Sequence, residues 1–537
     1  MNEREESGDA SRFRRRPVNI ALIASYGHPL ALGLRYVSAS LARQGHDVRM
    51  LFLTTRRNTA EAAFPPKLLD EIAAHVRDAG LIGVSLMTNT FHRARALTEA
   101  IRARGINVPV VWGGIHPTVA PEESLETADI VCVGEGEQAM AELAEAVEAG
   151  RDPTNIHGLW FRRDKTILRN PVRRLNEDLD ALPFPDYDME GRHFVVKGDS
   201  IVPARPKLLR GVLDRYRMQS TRGCPYRCTF CNNATQRRVY EGMGGWVRTR
   251  SNESVIAEIR ARIAGFPTIQ AINIVDDLFL VRTEEQLAEF VRLYREHVNL
   301  PLEFDAFPNL ITPEKIRLLR QIPLALVSMG IQSGSPDTLQ NLYQRPTPIA
   351  KIARAIDLLA DNGIPAEYHY IVNNPFEPDA NLIETLRFAA RHHRGPAIPR
   401  VFPLALYPHT PLHERAVAEG LIHDRHEEAY QQTFDSHKYF LGESYLTIVL
   451  RAVLGLKGMG LSASFAERFV NVATAPVVRW TLDRRWLPYA AFGLFRAGQV
   501  VHRRIIRQCI LKPVEAVRRL LGMRRRTGRD VCRQPVC

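Results

Sequence analysis

The sequence has few cysteines and no long apolar segment near its start. Seven cysteines in 537 residues make an odd number, whereas a disulfide framework normally uses an even number of them. Residues 1–16 are polar and rich in arginine, and they contain no apolar stretch of the kind that secretion requires. We therefore expect a cytoplasmic protein whose thiols stay reduced, with residues 1–16 as a disordered basic leader.

Net charge is missing from most of the chain. The protein has a formal charge of +13, but the segment from Leu441 to Cys537 contains 18 Lys and Arg against 5 Asp and Glu, which leaves residues 1–440 neutral. A neutral catalytic region lacks the basic channel that a nucleic-acid substrate requires. We expect no nucleic-acid partner, and a basic tail that contacts phosphate head groups or an acidic protein.

Three cysteines lie close together at Cys224, Cys228 and Cys231, with the spacing C-x3-C-x2-C and no fourth cysteine nearby. A structural zinc site uses four ligands, usually as two spaced pairs, and the nearest downstream histidine is His297. Iron–sulfur clusters are normally held by four thiolates. The compact trio therefore predicts an iron–sulfur cluster in which one iron stays open for another ligand.

This spacing, with Phe230 directly before the last cysteine, resembles that of the radical S-adenosylmethionine (radical SAM) enzymes. The resemblance implies that Cys224, Cys228 and Cys231 are both the metal ligands and the catalytic centre, and that Phe230 lies at the cofactor. In that family the open iron binds the amino acid end of S-adenosylmethionine. An electron from the cluster then splits the molecule to give a 5′-deoxyadenosyl radical.

Short apolar segments alternate with helical ones over residues 17–170, as in Val18–Ser25, Leu34–Gln44 and Val48–Leu53. This alternation predicts an α/β domain with a doubly wound, Rossmann-like parallel sheet, whose ligands bind beyond the carboxyl ends of the strands. Glycines in such loops let the backbone approach a large ligand, although ordinary turns use them as well. The candidate ligand-binding residues in these loops are Ser85, Thr88, Gly113, Gly114, His116, Gly134, Glu135 and Gly136.

The run from Trp112 to Glu137 resembles the cobalamin-binding domain that precedes many radical SAM enzymes. The resemblance implies that the strand-end loops contact cobalamin. The D-x-H-x-x-G motif, which supplies a histidine to cobalt in many cobalamin proteins, is absent, because Ser25 and Leu32 stand where Asp and Gly would be. Either cobalt receives no histidine from this loop, which we favour, or His28 is an unusual ligand.

The rest of the chain divides into three parts. Residues 171–205 contain several prolines and no periodicity, which predicts a linker. Residues 206–425 alternate strands and helices, which predicts a partial (β/α)6 barrel with its site at the carboxyl ends of the strands, as in the radical SAM domain. Residues 426–537 are expected to form a mostly helical, basic C-terminal region.

Polar residues follow two of the predicted barrel strands. Asp276 and Asp277 end the second strand, where they would hold the ribose or amine of S-adenosylmethionine unless one of them caps the next turn. The run Met329–Ser335 resembles the family motif G-I-E-S-G-S, with Gln332 in place of Glu. This implies that Gln332 and Ser333 bind the cofactor through hydrogen bonds rather than charge. The Asn373-Asn374-Pro375 segment either reshapes the rim of the site or forms a turn.

The tail from Trp480 onward mixes aromatic and basic residues with apolar ones at helical spacing. This pattern is typical of a helix that lies on an anionic membrane, and equally of a helix that covers the barrel mouth. Its stretch 487–501 is too short and too charged to span a bilayer.

The sequence therefore predicts a cobalamin-dependent radical SAM enzyme that methylates an unactivated carbon, with a 4Fe-4S cluster, S-adenosylmethionine and cobalamin as cofactors. Oxidative or ring-forming chemistry without methyl transfer is the first alternative, and a cobalamin-binding sensor without turnover is the second. The expected partners are a small-molecule or lipid substrate and a reductase or flavodoxin-type electron donor. The expected location is the cytoplasm, with peripheral contact to the membrane through the tail.

Overall fold

The computed structural model describes residues 17–26, 31–53, 64–206, 208–209, 213–394, 397–430 and 444–482. The predicted leader 1–16, His28 and the basic tail beyond residue 482 lie outside these ranges. Among the described helices, none has the length and apolar character needed to cross a bilayer.

The N-terminal part contains a sheet with the strand order β7-β6-β5-β4-β3-β1-β2-β8-β9. Its strands are β1 (Asn19–Ala24), β2 (Asp47–Phe52), β3 (Leu81–Ser85), β4 (Val110–Gly113), β5 (Ile130–Cys132), β6 (Leu159–Arg163), β7 (Thr166–Arg169), β8 (His193–Lys197) and β9 (Ser200–Pro203). The helices are α1 (Leu32–Arg43), α2 (Pro66–Val76), α3 (Phe91–Ala103), α4 (Ile115–Val119), α5 (Pro121–Ser124) and α6 (Gly136–Glu148).

Strand β1 lies in the middle of this sheet and pairs in parallel with both β2 and β3. Its sequence NIALIA is almost entirely buried, as expected for a parallel strand covered on both faces. The chain runs from β1 to β2 on one side and then crosses to β3 on the other. This confirms the doubly wound sheet and creates a switch point between the carboxyl ends of β1 and β3, where such sheets bind their ligands.

The predicted linker 171–205 is wrong for its last third. Strand β8 pairs in parallel with β2, and β9 pairs antiparallel with β8, so this segment completes the first sheet. The two strands are short, and the turn Gly198-Asp199 between them has the composition of a loop. Their strand conformation depends on pairing beside β2, and the periodicity of the local sequence does not reveal that pairing.

The second sheet has the order β10-β13-β14-β15-β16-β17, and its neighbouring strands are all parallel. Its strands are β10 (Arg215–Met218), β13 (Ala271–Ile274), β14 (Leu302–Ala306), β15 (Leu324–Gln332), β16 (Ala366–Val372) and β17 (Ile398–Pro403). A separate short pair consists of β11 (Thr221–Arg222) and β12 (Arg248–Thr249). The helices are α7 (Asn232–Val239), α8 (Asn252–Gly265), α9 (Glu284–His297), α10 (Pro313–Leu319), α11 (Ile349–Asp361) and α12 (Asp379–His392).

The six parallel strands with alternating helices confirm the predicted partial barrel, which stays open between β10 and β17. The sheet has two chemically different faces. One face is apolar and buried: it carries Leu302 and Phe304 on β14, Met329 on β15 and Tyr370 on β16. The intervening residues on these strands, which include Asp305 and His369, point to the opposite, inner face because side chains alternate along a strand.

The described C-terminal region is helical, as predicted. Its helices are α13 (Pro411–Ala418), α14 (Arg425–Glu428), α15 (Tyr445–Gly458), α16 (Ala463–Ala473) and α17 (Pro476–Leu482). Helices α15 and α16 pack on α12 of the second sheet. The short helix α14 is followed by Tyr430, which reaches back to the N-terminal part of the chain.

Candidate functional site

The cysteine loop starts after strand β11 and ends at helix α7, whose N-cap residue is Cys231. Gly223 precedes the loop with φ +87, and a Cβ atom there would lie 2.1 Å from the Trp246 carbonyl oxygen. The Trp246 indole Nε1 donates a hydrogen bond of 2.9 Å to the carbonyl oxygen of Cys224. The glycine is therefore required for the chain to pass under this tryptophan and bring Cys224 back toward the sheet.

The three thiols are shielded from water to different extents, since Cys228 is buried and Cys224 and Cys231 are partly exposed. Desolvation raises the pKa of Cys224 to about 11 and that of Cys231 to about 12. These thiols deprotonate only when a cation replaces the lost hydration, as a bound metal does.

The donor set fits an iron–sulfur cluster. Within the ranges that the structure describes, no group of three or more His, Cys, Asp or Glu side chains that could hold a metal ion is found. In an iron–sulfur cluster each thiolate binds a different iron, so three cysteines spaced along one loop can hold it.

Both predicted carboxylates hold the ends of the cysteine loop. The buried Asp276 accepts hydrogen bonds from the backbone N–H of Ser220 at 2.5 Å and of Thr221 at 2.9 Å. Asp277 accepts from the Gly223 N–H at 3.1 Å and from the Asn233 side chain at 2.7 Å. Neither carboxylate is seen to cap the turn that follows it, since the bonds go to the distant cysteine loop instead. Contact of either carboxylate with S-adenosylmethionine stays a prediction.

Asp276 is stabilised as an anion by a second buried group. Burial raises its pKa, while the Arg282 guanidinium 3.8 Å away and the hydrogen bonds from Ser220 and Thr221 lower it. Arg282 is also buried and donates to the Ser220 hydroxyl at 2.8 Å. This pair ties strand β13 to the start of the cysteine loop.

Arg345 is a residue that the sequence did not indicate. Its Nη1 lies 3.9 Å from the Cys228 Sγ, and its Nη2 donates to the Gly330 carbonyl oxygen at 2.6 Å. The guanidinium lies 3.9 Å from the centre of the Phe307 ring, and this ring stacks on Tyr226 of the cysteine loop at 3.8 Å. Arg345 thus connects the loop to the carboxyl ends of two central strands.

The other residues predicted around S-adenosylmethionine have different surroundings. Gln332 ends strand β15 with φ +71, on the inner face with Gly330. The Phe230 ring packs edge-on against Tyr343 at 5.0 Å. Ser333 is buried, and its hydroxyl pairs with the Thr385 hydroxyl of α12 at 2.9 Å.

Asn373 and Asn374 follow β16, and the structure favours the turn. Asn373 has φ +56, and the Asn374 side-chain oxygen accepts a hydrogen bond from the Phe376 N–H at 3.0 Å. This is the local side-chain-to-backbone bond by which asparagine stabilises turns.

On the first sheet, three predicted residues form an accessible edge. Ser85 ends β3 and Gly113 ends β4, and both are partly exposed, while Gly114 is exposed. Gly114 has φ +106, and a Cβ atom there would lie 2.7 Å from the Leu86 carbonyl oxygen. This edge lies next to the β1–β3 switch point, so its position and its lack of side chains fit a large cofactor.

Thr88 and His116 lie away from this edge, in a buried cluster with the C-terminal region. His116 Nδ1 is 3.3 Å from the Thr88 hydroxyl, and its Nε2 is 3.8 Å from Glu123. Tyr430 packs edge-on against the His116 ring and donates a hydrogen bond to Glu123. Burial and neighbouring cationic groups lower the pKa of His116 to about 3. The side chain is therefore a neutral packing residue here.

The loop Gly134-Glu135-Gly136 contacts residues around the cysteine loop, in the part of the chain that forms the second sheet. The Glu135 carboxylate pairs with Arg248 at 2.7 Å and with Arg222 at 3.1 Å, and its N–H donates to the Tyr240 hydroxyl at 2.6 Å. Arg222 also pairs with Glu137 at 2.6 Å. Because Arg222 lies two positions before Cys224, this network fixes the first sheet's strand-end loops beside the cysteine loop.

Two family descriptions match the chain. A B12 binding domain matches residues 17–144, and the radical SAM superfamily matches residues 218–389. These segments contain the first sheet's accessible edge and the cysteine loop, respectively. The wider boundaries 17–170 and 206–425 stay predictions.

Known proteins are similar over much of the chain. An uncharacterized methyltransferase of Pyrococcus horikoshii is 26% identical over 407 residues, which cover 75% of this chain and 81% of the relative. The anaerobic magnesium-protoporphyrin IX monomethyl ester cyclase of Rubrivivax gelatinosus is 26% identical, over 58% of this chain and 54% of the cyclase.

The fold is similar to a solved structure. The radical S-adenosylmethionine methyltransferase TsrM from Kitasatospora setae, with tryptophan substrate and an S-adenosylmethionine analogue bound, superimposes with a TM-score of 0.60 at 19% identity. The match covers 78% of this chain and 84% of TsrM.

Proposed function

Because this chain belongs to the radical SAM enzymes that carry a B12-binding domain, we propose that it transfers a methyl group to an unactivated carbon of a small molecule. The observation that carries the proposal is the ion pair of Glu135 with Arg222. It joins the first sheet, which belongs to the B12-binding segment, to the cysteine loop. The P. horikoshii relative is described as an uncharacterized methyltransferase, and the match covers 81% of its length, which supports the proposal.

The chain's own residues have separate tasks in this proposal. Cys224, Cys228 and Cys231 would hold the 4Fe-4S cluster, and Asp276 with Asp277 would keep their loop in place. When bound, the cluster, S-adenosylmethionine and cobalamin supply one-electron chemistry and the methyl group. Gln332 and Phe230 would contact S-adenosylmethionine.

The first sheet's accessible edge, with Ser85, Gly113 and Gly114, would contact cobalamin. Gly136 starts helix α6 directly after the Glu135 contact, so it would lie at the rim of the same space. The packing of the two sheets' carboxyl ends against each other would exclude water from the cavity between the cofactors.

Radical SAM enzymes use a small-molecule substrate and an electron donor. A reductase or flavodoxin-type donor remains our proposal for this chain. A lipid substrate, peripheral membrane contact through the tail and a cytoplasmic location all stay predictions, because the tail lies outside the described residues.

An oxidative or ring-forming reaction is the second candidate. The R. gelatinosus cyclase favours it, but the match covers only 54% of that protein. A sensor without turnover has less support, because the radical SAM segment includes the complete cysteine trio.

Methyl transfer can be tested before the substrate is known. The full-length protein, reconstituted without oxygen with iron, sulfide and cobalamin, is incubated with a reductant and S-adenosylmethionine labelled with ¹³C in its methyl group. We expect labelled methylcobalamin by mass spectrometry, because a methyltransferase must load its corrinoid. The Cys228→Ala variant should lose iron and sulfide, whereas the matched Cys132→Ala variant, at a buried strand position, should keep both.

The outcomes separate the candidates. Formation of 5′-deoxyadenosine without labelled methylcobalamin would favour the oxidative reaction. Absence of both, with the cluster present, would contradict an enzyme of this class.

A further inference from the structure

The inner face of the second sheet carries charged residues in the middle of its strands. On β14 these are Glu303 and Asp305, and on β16 they are Glu367 and His369. The opposite face of the same strands is apolar and buried under helices. Charged residues at strand centres are costly unless they are paired or serve a ligand, so each pairing is informative.

Two of the three carboxylates are paired. Glu303 lies 3.1 Å from Arg215 and accepts a hydrogen bond of 3.2 Å from Asn273. Glu367 lies 2.7 Å from His369 and 2.8 Å from Arg400. These groups balance one another and require no further partner.

Asp305 is the exception. In the part of the chain that the structure describes, no side chain donates a hydrogen bond to its carboxylate or forms an ion pair with it. Its side chain is exposed, although β14 lies between β13 and β15 in the middle of the sheet. The exposed surface therefore faces the space enclosed by the inner face rather than the outside of the protein.

Charged groups of both signs act on Asp305. Desolvation raises its pKa to about 6; Glu367, Asp276 and Asp277 act in the same direction, and His369 opposes them. Arg217 lies one layer deeper, level with Asn273 and Glu303 in the strand register, and both Glu303 and Asp305 stabilise its charge. Within the described residues, neither His369 nor Arg217 forms an ion pair with Asp305.

Asp305 also lies within reach of the cysteine loop. Two residues further along the same strand direction, Phe307 stacks on Tyr226 of the loop and supports Arg345. In register, Asp305 pairs with Ser328 of β15, and Ser328 pairs with Glu367 of β16. The carboxylate is therefore on the inner face, two positions before the residue that packs against the cysteine loop.

We propose that Asp305 binds a cationic group of the substrate, such as an amine, on the inner face of the second sheet. This inference rests on the proposed function and names the substrate class of that site. An unpaired carboxylate on this face gains most from a positively charged hydrogen-bond donor. A wholly apolar isoprenoid would remove its water without compensation, so this proposal favours a cationic small molecule over a lipid.

The test uses three probes with the same aromatic ring: benzylamine, its neutral isostere benzyl alcohol, and the anion benzoate. Their affinities for the full-length, cluster-loaded protein, saturated with S-adenosylmethionine, are measured by saturation-transfer NMR at pH 7.5. We expect benzylamine to bind at least tenfold more tightly than the alcohol and benzoate. The preference should disappear in Asp305→Asn and remain in Asp305→Glu, and it should weaken in the wild type as the pH falls through 6.

The control is Asp164→Asn, which removes a carboxylate from an exposed turn of the first sheet and should change nothing. Equal binding of the amine and the alcohol, absence of amine binding, or an unchanged preference in Asp305→Asn would each overturn the inference. The measurement does not depend on methyl transfer. Absence of labelled methylcobalamin would therefore contradict the proposed function without affecting the amine site. Absence of an amine preference would contradict the amine site without affecting methyl transfer.

Discussion

The guanidinium of Arg345 is a buried charge whose partners are a sulfur atom, a carbonyl oxygen and an aromatic ring. Burial lowers its pKa, and the neighbouring Cys228 and Cys224 oppose that shift. None of its described partners is a carboxylate. A buried cation needs a compensating anion, and a thiolate-bound cluster would supply one. Arg345 would in turn stabilise the more negative, reduced form of that cluster.

The Arg345→Met variant tests this role. Removing the cation should lower the midpoint potential of the reconstituted cluster by about 60 mV or more, which corresponds to a tenfold change for one electron. The potential is measured by a redox titration followed by electron paramagnetic resonance. Arg345→Lys should recover part of the shift.

The matched control is Arg227→Met, because Arg227 belongs to the same loop but its side chain is exposed. An equal shift in this variant, or no shift in Arg345→Met, would show that the guanidinium near Cys228 does not tune the cluster.

Single residues also show what a sequence can reveal. The cysteine trio was predictable, because its spacing is local. Arg345 was not, since it lies 117 positions from Cys228 and follows a turn without a distinctive pattern. The support roles of Asp276 and Ser333 were hidden for the same reason: their partners are distant in sequence, and a polar residue at a strand end looks alike whether it holds a ligand or a loop.

At the scale of elements, the connection between β5 and α6 depends on Gly134. Its φ is +97, and a Cβ atom there would lie 2.1 Å from the Tyr240 hydroxyl oxygen. The same hydroxyl accepts the Glu135 N–H. A side chain at position 134 would therefore separate this loop from Tyr240 and weaken the Glu135 pairs with Arg222 and Arg248.

We expect Gly134→Ala to lower the free energy of unfolding by about 3 kcal/mol, from backbone strain and steric overlap together. Urea unfolding followed by tryptophan fluorescence measures the loss. The Tyr240→Phe change in the same chain should recover part of it, because it removes the nearest atom. Gly245→Ala should be neutral, since nothing lies within 4 Å of a Cβ atom at Gly245. Equal losses at positions 134 and 245 would refute this account.

Elements with strong apolar patterns were predicted within a few residues, such as β1, whose bounds Asn19–Ala24 lie inside the predicted segment Val18–Ser25. Strands with a weak apolar pattern were not predicted. Strand β10 has the sequence RYRM, in which arginines alternate with the apolar residues, and β8 and β9 resemble a loop. In each case the neighbouring strand, rather than the local sequence, determines the conformation.

At the scale of the whole molecule, two networks are prominent among the described contacts that join the N-terminal sheet to the rest of the chain. One is the Glu135 network, and the other is the buried cluster of His116, Glu123 and Tyr430. The sequence predicted both sheets and their order. It did not predict these contacts, because their residues share no sequence pattern. The sequence instead indicates ligand sites in the loops that contain His116 and Glu135.

The His116 cluster should make the joined state sensitive to pH. The pKa of His116 is about 3 in the folded protein, whereas an unfolded chain takes up the proton near its ordinary pKa of ~6.5. Stability should therefore fall as the pH drops below ~6.5 and stop falling near the folded value. At pH 5 the loss amounts to about 2 kcal/mol for this residue.

Urea unfolding of the wild type and of His116→Gln at pH 7.5 and pH 5 measures this loss as a difference in pH dependence. The comparison is needed because other buried histidines, such as His393, also have lowered pKa values. His157→Gln, at an exposed position, should behave as the wild type does. A His116→Gln variant with unchanged pH dependence would rule out the neutral packing role.

The bond between Tyr430 and Glu123 spans 307 positions of the chain. A ribosome adds residues at roughly 5–20 per second, so this distance corresponds to roughly 15–60 s of synthesis. Throughout that interval the nascent N-terminal sheet presents Phe91 and His116 without the ring that later covers them. Translation speed and chaperone occupancy during this period would then decide how much of the newly made protein reaches the assembled form.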